Sequence, residues 1–299
     1  MDKVPVRVDE RFRLGDVLGS GSYAVVYRAQ NIIKDDAVAI KLKPISNSSS
    51  IQHEYKILKH IEGGVGIPRV LWFGRESTYH TLVLDLLGPS LYSLFLTHNQ
   101  KFSLDIIVNL GDQLLSHLKY IHGDIKPQNV VVGLGDLRDT AFIIDFGIAK
   151  EFCQCLTGTS AFASINNHLG VEPGHRDNLE SLTYMLIYFL QGSLPWLTSD
   201  EEKLSSSLIL ECKVNTTIED LCCGIPVKFA TIFIYTRSLA FSENLNYNHL
   251  HSLLHVLTVC LLDFNQPDVP LIYSPPLSNE PWVIEAVPPC PPLCRSTRV

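Results

Sequence analysis

The stretch HGDIKPQN, residues 122–129, and the DFG that follows at residues 145–147 decide the prediction of the fold. Two short apolar runs lie between these stretches, VVV at 130–132 and FII at 142–144, and a polar, glycine-containing segment joins them. This pattern predicts a β-hairpin with a long loop. The polar residues of both stretches therefore fall at the open end of that hairpin.

The register of this hairpin decides which side chains meet. Pairing residue 132 with residue 142 sets Asn129 opposite Asp145, with Asp124 a few residues away. Two oxygen ligands that converge beside another acid suit Mg²⁺, which binds a few protein oxygens together with waters and phosphates. For any one of these residues, a solvent-exposed turn rich in Asp and Asn remains the simpler explanation.

A β-rich segment precedes these stretches, and from Phe12 to Leu42 it predicts strand, loop, strand, turn and strand. The glycine loop, Gly19-Ser20-Gly21, lies between the first two strands. A backbone without Cβ atoms could approach a phosphate there and offer its N–H groups. A plain β-turn explains two glycines about as well, and the third glycine of the G-x-G-x-x-G pattern is replaced by Ala24.

The strand VAIKL, residues 38–42, carries a lysine on its polar face. Alternation places Lys41 opposite the face that holds Ile40. A helix predicted over residues 51–61 brings Glu54 onto its apolar face. An isolated buried carboxylate costs on the order of several kcal/mol. Glu54 therefore needs a cation, and Lys41 is the obvious partner.

The pattern changes at Gly88 and Pro89, where a buried strand over 81–87 ends and helical periodicity begins. Helices are predicted over 104–121, from Leu179 to near Gly192, and within the apolar run 250–264. The predicted organisation is a β-rich N-lobe over 1–87, a helical C-lobe over 88–264 and a proline-rich, disordered tail over 265–299.

Composition excludes several classes of protein. With 46% hydrophobic and 18% charged residues, the chain is a folded globular protein rather than a disordered one. Its formal net charge of −7 argues against nucleic acid as a partner. No segment reaches the roughly 18 unbroken apolar residues of a membrane span. The eight cysteines form no CxxC pair, and no export signal precedes them, so reduced thiols and a cytoplasmic or nuclear location are expected.

Five features occur in one order along the chain: a glycine loop, the VAIK lysine, a helical glutamate, D-x-K-x-x-N and DFG. Each falls on the element that protein kinases require. From about Phe12 to Leu262 the chain resembles a eukaryotic protein kinase, and it looks most like the casein kinase I family. The motifs that carry the second resemblance are LLGPSL (86–91), DIKPQN (124–129), LTGTSAFASINNHLG (156–170), RDNLESL (176–182) and GSLPW (192–196).

The resemblance implies an α+β, bilobal protein-kinase-like fold with a small β-rich N-lobe and a larger helical C-lobe. It also implies transfer of the γ-phosphate of ATP, with Mg²⁺, to serine or threonine of protein substrates that are acidic or already phosphorylated. We expect a monomer. By the same resemblance, the residues that would bind ATP are Leu18, Gly19, Ser20, Gly21, Val26, Ala39, Lys41, Glu54, Asp85 and Leu87.

The resemblance also implies a role for each polar residue around the hairpin. Asp124 would orient the accepting hydroxyl and take its proton, while Lys126 would steady the γ-phosphate. Asn129 and Asp145 would hold Mg²⁺. In the N-lobe, Lys41 would contact the α- and β-phosphates, and backbone groups of the hinge would contact adenine.

The chain departs from the family pattern close to Asp124. A helix ending in KYIH, residues 119–122, is expected to run directly into Gly123, which stands where relatives often have arginine. His122 is then either the helix end or the histidine of the catalytic loop. Asn178 occupies the position of an aspartate that accepts hydrogen bonds from that loop. Arg176 matches part of an anion site or is an ordinary surface arginine.

The segment between Asp145 and Thr157 is also short. Two other hypotheses follow from the shortened segments and from the fold. The first is a catalytically impaired pseudokinase or nucleotide-binding scaffold, and the second is phosphotransfer to a small molecule. Both abbreviations could also come from a mispredicted transcript.

Overall fold

The computed structural model describes residues 6–21, 24–47, 49–118, 120–149, 158–197 and 204–262. The predicted tail, 265–299, lies outside these residues. None of the helices in the described ranges has the length and apolar character needed to cross a bilayer.

The chain divides into two compact units. Within the described residues, the first contains those up to His60 together with Arg69–Leu86, and the second contains Ile61–Pro68 together with those from Leu87 to Leu262. The predicted N-lobe range included Ile61–Pro68. This segment joins the helical unit because the carbonyl of Gly66 accepts a hydrogen bond from the Ile143 N–H, at 3.0 Å.

The first unit is built on an antiparallel sheet. Its strands are β1 Arg7–Val8, β2 Phe12–Ser20, β3 Val25–Asn31, β4 Asp36–Pro44, β5 Val70–Glu76 and β6 Tyr79–Asp85. They lie in the spatial order β1-β2-β3-β4-β6-β5. The predicted strand order from Phe12 to Leu42 is confirmed.

Alternation along β4 separates the core from the polar face of the sheet. Val38, Ile40 and Leu42 are buried, whereas Ala39 and Lys41 between them are half-buried. The buried side chains pack with others from β1, β2, β3 and β6 into one apolar cluster. The helix α1, Ser49–His60, buries Ile51, Glu54 and Leu58, which share one face because helical residues three and four apart are neighbours. The predicted buried glutamate is therefore confirmed.

The second unit is mainly helical. Its helices are α2 Leu91–Thr97, α3 Leu104–His117, α4 Ile165–His168, α5 His175–Gln191, α6 Ser206–Asn215, α7 Ile218–Leu221, α8 Val227–Ser238 and α9 Tyr247–Leu262. The predicted hairpin is present as β7, Val130–Val132, and β8, Ala141–Ile143. This unit and the sheet of the first unit confirm the predicted α+β fold class.

The central helix α5 is buried along most of its length, and its end matches the prediction, while it begins at His175, four residues before the predicted Leu179. It ends before Gly192, which adopts the left-handed conformation (φ 90°) that favours glycine. At its start, the Asp177 carboxylate accepts a hydrogen bond from the backbone N–H of Gly174, at 2.8 Å.

The prediction for the end of α3 was wrong. Apolar periodicity continues to Ile121, but the helix ends at His117. The carbonyl of Leu118 accepts side-chain hydrogen bonds from Tyr247, at 3.1 Å, and from His175, at 3.2 Å. These partners on α9 and α5 satisfy a carbonyl that helix ends leave unpaired, so the chain turns away from the helical path there.

Candidate active site

The predicted site residues lie in both units, and each group has its own geometry. In the first unit, the β2–β3 ladder pairs Gly19 with Val26, and the β3–β4 ladder pairs Val26 with Lys41. Residues opposite each other in an antiparallel pair share a face. Ala39, two positions from Lys41 on β4, lies on that face as well. The sheet therefore places four of the predicted nucleotide-binding residues together.

The predicted pairing of Lys41 with Glu54 is confirmed. Lys41 Nζ donates a hydrogen bond to Glu54 Oε2 at 2.6 Å. The Glu54 side chain is only 2% exposed, and that of Lys41 is 17% exposed. Because Glu54 reaches out from α1 and Lys41 from β4, the ion pair sets the position of the ammonium on the polar face of the sheet.

The turn at the glycine loop does not require glycine at Gly19 or Gly21. The N–H of Gly21 donates to the carbonyl of Ala24 at 2.8 Å and closes the turn, whose residues 22–23 lie outside the described ranges. Neither Gly19 nor Gly21 has a positive φ. An added Cβ would meet no atom within 4 Å at Gly19, and only the Ala24 carbonyl at 3.9 Å at Gly21. Other residues would fit here, so packing does not require glycine.

The remaining predicted nucleotide-binding residues are Leu18, Ser20, Asp85 and Leu87. Leu18 is half-buried, and Ser20 is exposed and pairs with Val25. The carboxylate of Asp85 is held by Arg69, whose Nη2 lies 2.9 Å from Asp85 Oδ1. The Asp85 N–H donates to the Arg69 carbonyl at 3.3 Å, so this backbone group already has a partner. Leu87 is half-buried and belongs to the second unit.

In the second unit, the carboxylate of Asp124 is surrounded by donors. Lys126 Nζ donates to Asp124 Oδ2 at 2.7 Å, and Asn129 Nδ2 donates to the same oxygen at 3.1 Å. The backbone N–H of Thr159 donates to Oδ1 at 2.8 Å. The structure thus brings together three of the predicted residues and adds Thr159.

Thr159 was not predicted as a site residue. Its hydroxyl accepts a hydrogen bond from Lys126 Nζ at 2.8 Å, so it contacts both Lys126 and Asp124. The available signal was Gly158 before it. Gly158 has a φ of 88°, and an added Cβ would lie 2.6 Å from the carbonyl of Gly123. A glycine is required where the chain passes this close to the loop that carries Asp124.

The predicted register of the hairpin was wrong by one residue. Val132 pairs with Ala141, and the carbonyl of Asn129 accepts a hydrogen bond from the Ile144 N–H at 2.9 Å. The reason is that the Gly133 N–H donates to the Thr140 carbonyl and closes the loop one position earlier.

Asp145 therefore lies one residue beyond the position opposite Asn129. It adopts a left-handed conformation with φ 67° and ψ 61°, which is uncommon for a residue other than glycine. Such conformations cost about 1–3 kcal/mol and cluster at functional sites.

His122 is the histidine of the loop and not the end of a helix. Its side chain is 1% exposed, its Nε2 lies 3.0 Å from the Ile144 carbonyl, and its Nδ1 accepts a hydrogen bond from the Asp124 N–H at 3.2 Å. These partners assign the proton of the neutral ring to Nε2. Burial lowers the pKa of His122, although the charges of Asp124 and Asp145 act in the opposite direction. A neutral imidazole thus joins the loop to the end of β8.

Asn178 of α5 holds the backbone that leads to Asp124. Asn178 Oδ1 accepts a hydrogen bond from the Gly123 N–H at 3.1 Å, as predicted for this position. Its Nδ2 also donates to the carbonyl of Tyr120 at 2.8 Å. Gly123 has a φ of 83°, a conformation that favours glycine.

Arg176 has a packing role in the structure. Its Nη1 donates to the Leu239 carbonyl at 3.0 Å, and its guanidinium lies over the ring of Phe241. The side chain is therefore engaged with residues that follow α8.

The oxygen atoms of Asn129 and Asp145 are of a type that suits a divalent cation bound together with a phosphate ligand. No group of three or more His, Cys, Asp or Glu side chains in the described ranges could hold a metal ion. Asn129 directs its Nδ2 to the carbonyl and the carboxylate of Asp124, and its Oδ1 accepts no hydrogen bond from any residue the structure describes. An amide oxygen beside carboxylates is a ligand that Mg²⁺ accepts when phosphates and waters complete the shell. Asn129 and Asp145 are therefore suitable in type for a divalent cation.

The shortened segment after DFG falls largely outside the described residues, since 150–157 are not among them. Its expected effect on the site stays a prediction.

The family model for the protein kinase domain matches residues 12–245, which is most of the chain.

Proposed function

Because the chain belongs to the protein kinase domain family, we propose that it is a serine/threonine kinase of the casein kinase I type that uses Mg²⁺ and ATP. The family supports a protein kinase that uses ATP and a divalent cation. The finer assignment comes from the five motifs between residues 86 and 196 that resemble casein kinase I.

The observation that carries the proposal is the set of donors around Asp124. Three donors hold its carboxylate, and the side chain keeps 11% of its surface exposed. A carboxylate has about four lone-pair sites, so three hydrogen bonds leave it able to accept one more proton donor. In the proposed reaction, Asp124 accepts the proton of a serine or threonine hydroxyl. The hydroxyl oxygen bonds to the γ-phosphorus, the bond from that phosphorus to the bridging oxygen of ADP breaks, and ADP leaves.

Lys126 is proposed to act on the transferred phosphoryl group. Its ammonium lies 2.7 Å from Asp124 Oδ2, so the positive charge is beside the carboxylate that accepts the proton. Phosphoryl transfer depends mostly on positioning and on neutralising charge. The lysine stabilises the negative charge that develops next to Asp124.

In the first unit, Lys41 is proposed to contact the α- and β-phosphates. Glu54 holds its ammonium at one position, which lowers the cost of ordering a flexible side chain when ATP binds. The open space at Gly19 would let a phosphate approach the backbone. The adenine contacts are assigned to backbone groups of Asp85 and Leu87 other than the Asp85 N–H, which is bonded to Arg69.

Asn129 and Asp145 are the proposed cation ligands. A bound Mg²⁺ would neutralise charge on the phosphates of ATP. The role of Asn129 is supported by its amide, which is anchored on Asp124 and cannot rotate without losing two hydrogen bonds.

The test is a transfer assay with the full chain, labelled ATP, Mg²⁺ and an acidic or phosphorylated peptide. We expect transfer by the natural sequence and a loss of at least a hundredfold in Asp145→Asn. Asp136→Asn, at an exposed position in the same hairpin, is the matched control and should keep full activity.

Two results would overturn the proposal: no transfer by the natural sequence, or undiminished transfer by Asp145→Asn. A melting-temperature measurement with ATP and Mg²⁺ separates the alternatives. A ligand at 100 times its dissociation constant adds about 2.7 kcal/mol to stability. A shift without transfer to any peptide would favour the nucleotide-binding scaffold.

A further inference from the structure

Lys213 on α6 is a lysine that the proposed reaction does not use. Its side chain is 0% exposed. The ammonium lies over two aromatic rings, 4.8 Å from the centroid of Tyr184 and 5.2 Å from that of Trp196. Lysine is almost never fully buried unless it is paired, and apolar side chains of similar size commonly stabilise such positions as well or better. Its hydrogen bonds show what the buried amine does.

The Lys213 amine binds one short segment of the second unit. Nζ donates to the carbonyl of Ser160 at 2.7 Å and to that of Ala163 at 2.6 Å. Trp196 Nε1 donates to the carbonyl of Ala161, between them, at 2.8 Å. Because this segment has no regular helix or strand, side-chain donors determine the direction of its carbonyls.

The same segment begins with Thr159. The carbonyl of Thr159 accepts hydrogen bonds from the N–H groups of Phe162, at 2.9 Å, and Ala163, at 3.0 Å. The Thr159 N–H donates to Asp124, and its hydroxyl accepts from Lys126. A continuous path of hydrogen bonds thus runs from Lys213 through Ala163 and Thr159 to the carboxylate of Asp124.

We propose that Lys213 is a positioning residue, which holds the turn over residues 159–163 so that Thr159 stays bonded to Asp124 and Lys126. The proposal rests on the proposed function, because it assigns to Lys213 an effect on phosphoryl transfer. Lys213 acts through Thr159 and is more remote from the reacting atoms.

Of the charged groups near the buried amine, Glu180 stabilises its charged form, whereas Arg237 opposes it. Glu180 faces the same interior, bonded to the Tyr184 hydroxyl at 2.8 Å, and Arg237 lies 3.8 Å from Glu180. His168 Nε2 lies 3.3 Å from the Lys213 amine. Burial lowers the pKa of Lys213 to about 7, while Glu180 raises it. An ammonium and a neutral amine can both donate two hydrogen bonds, so both carbonyl contacts survive loss of the proton.

Amide hydrogen exchange of the full-length protein tests the path without reference to catalysis. In Lys213→Met, which keeps the length of the side chain but has no donor, we expect the Thr159 amide to exchange about tenfold faster, as for loss of one hydrogen bond to a charged group. Leu254→Ala, at a buried position on α9, is the matched control for general loss of stability and should leave the Thr159 amide protected relative to Lys213→Met.

If Lys213→Met does not fold, Lys213→Gln carries the same readout, because its shorter amide cannot reach both carbonyls. Equal protection of the Thr159 amide in the lysine variant and in the natural sequence would overturn the proposal.

Kinetics provide the second readout. We expect Lys213→Met to lower kcat about tenfold and to leave KM for ATP unchanged, while Leu254→Ala changes neither. An unchanged kcat, with the Thr159 amide exposed, would refute the effect on transfer. If the natural sequence transfers no phosphate, the proposed function fails, and the exchange experiment still decides whether Lys213 holds Thr159.

Discussion

The side-chain oxygen of Asn178 accepts a hydrogen bond from the backbone N–H of Gly123 at 3.1 Å, immediately before Asp124. The side-chain nitrogen of Asn178 donates to the carbonyl of Tyr120 at 2.8 Å. One amide therefore holds the backbone on both sides of His122. Only a side chain with both a donor and an acceptor can do this, and an ionised aspartate has acceptors alone.

Asn178→Asp should impair the protein although the resemblance to casein kinase I implies aspartate at this position. The new carboxylate can accept from Gly123 but faces the Tyr120 carbonyl without a donor, in a position that is 2% exposed. We expect stability to fall by about 1–3 kcal/mol and kcat to fall about tenfold, measured by denaturant unfolding and by transfer assays.

The deficit of Asn178→Asp should be smaller at pH 5 than at pH 8, because a protonated carboxyl group regains a donor. Asn215→Asp, at an exposed position at the end of α6, is the control and should behave like the natural sequence at both pH values. An Asn178→Asp variant as stable and active as the natural sequence would show that the bond to Tyr120 contributes nothing.

Gly158→Ala should lower kcat on the order of a hundredfold. The added Cβ would lie 2.6 Å from the Gly123 carbonyl and 3.1 Å from Asp124 Oδ1, at a φ of 88°. A displacement of about 1 Å in a catalytic group can have an effect of this size. Gly135→Ala is the matched control, since it also has a positive φ but meets no atom within 4 Å. Equal rates for the two variants would contradict the close approach at Gly158.

Lys41→Met should abolish the rise in melting temperature produced by ATP and Mg²⁺. The ammonium that Glu54 holds on the polar face of the sheet is the proposed partner of the phosphates. Lys43→Met is the control, because Lys43 lies two positions along β4 and its amine contacts Ser50. The control should keep the full shift. Retention of the shift in Lys41→Met would remove Lys41 from the nucleotide site.

His117 should make the protein less stable in acid. Burial lowers its pKa to about 4 in the folded state, against about 6.5 when unfolded. The unfolded chain therefore binds more protons between these values, and stability present above pH 6.5 is lost as the pH falls towards 4. At pH 5 this one group accounts for about 2 kcal/mol.

The measurement for His117 is the free energy of unfolding between pH 4.5 and 7.5. His117→Leu should flatten the curve by that amount, because it removes the titrating ring from a buried site where Nδ1 has no partner among the described residues. His122 and His168, whose pKa values burial also lowers, remain in both proteins, so the difference between the two curves isolates His117. Parallel curves would refute the assignment.

Local pattern was sufficient for the first unit. Helical periodicity placed Glu54 among apolar residues, and strand alternation placed Lys41 opposite Ile40, so the ion pair could be predicted without coordinates. The hairpin shows what local sequence pattern could not predict. Its two strands were correct, but the register was wrong because closure of the loop depends on the bond between Gly133 and Thr140. Sequence composition does not predict that hydrogen bond.

The sequence by itself determined the fold class, the order of the elements and the identity of Asp124, Lys126, Asn129 and Lys41 as site candidates. Lys126 follows from the resemblance to protein kinases, and the others depend on periodicity and on spacing along the chain, which local sequence expresses directly. Only the tertiary structure decided that Thr159 bonds to Asp124 across 35 positions, and that Lys213 supports its turn from 50 positions away. Contacts over such separations depend on how α5 and α6 pack around the turn, and no local pattern encodes that packing.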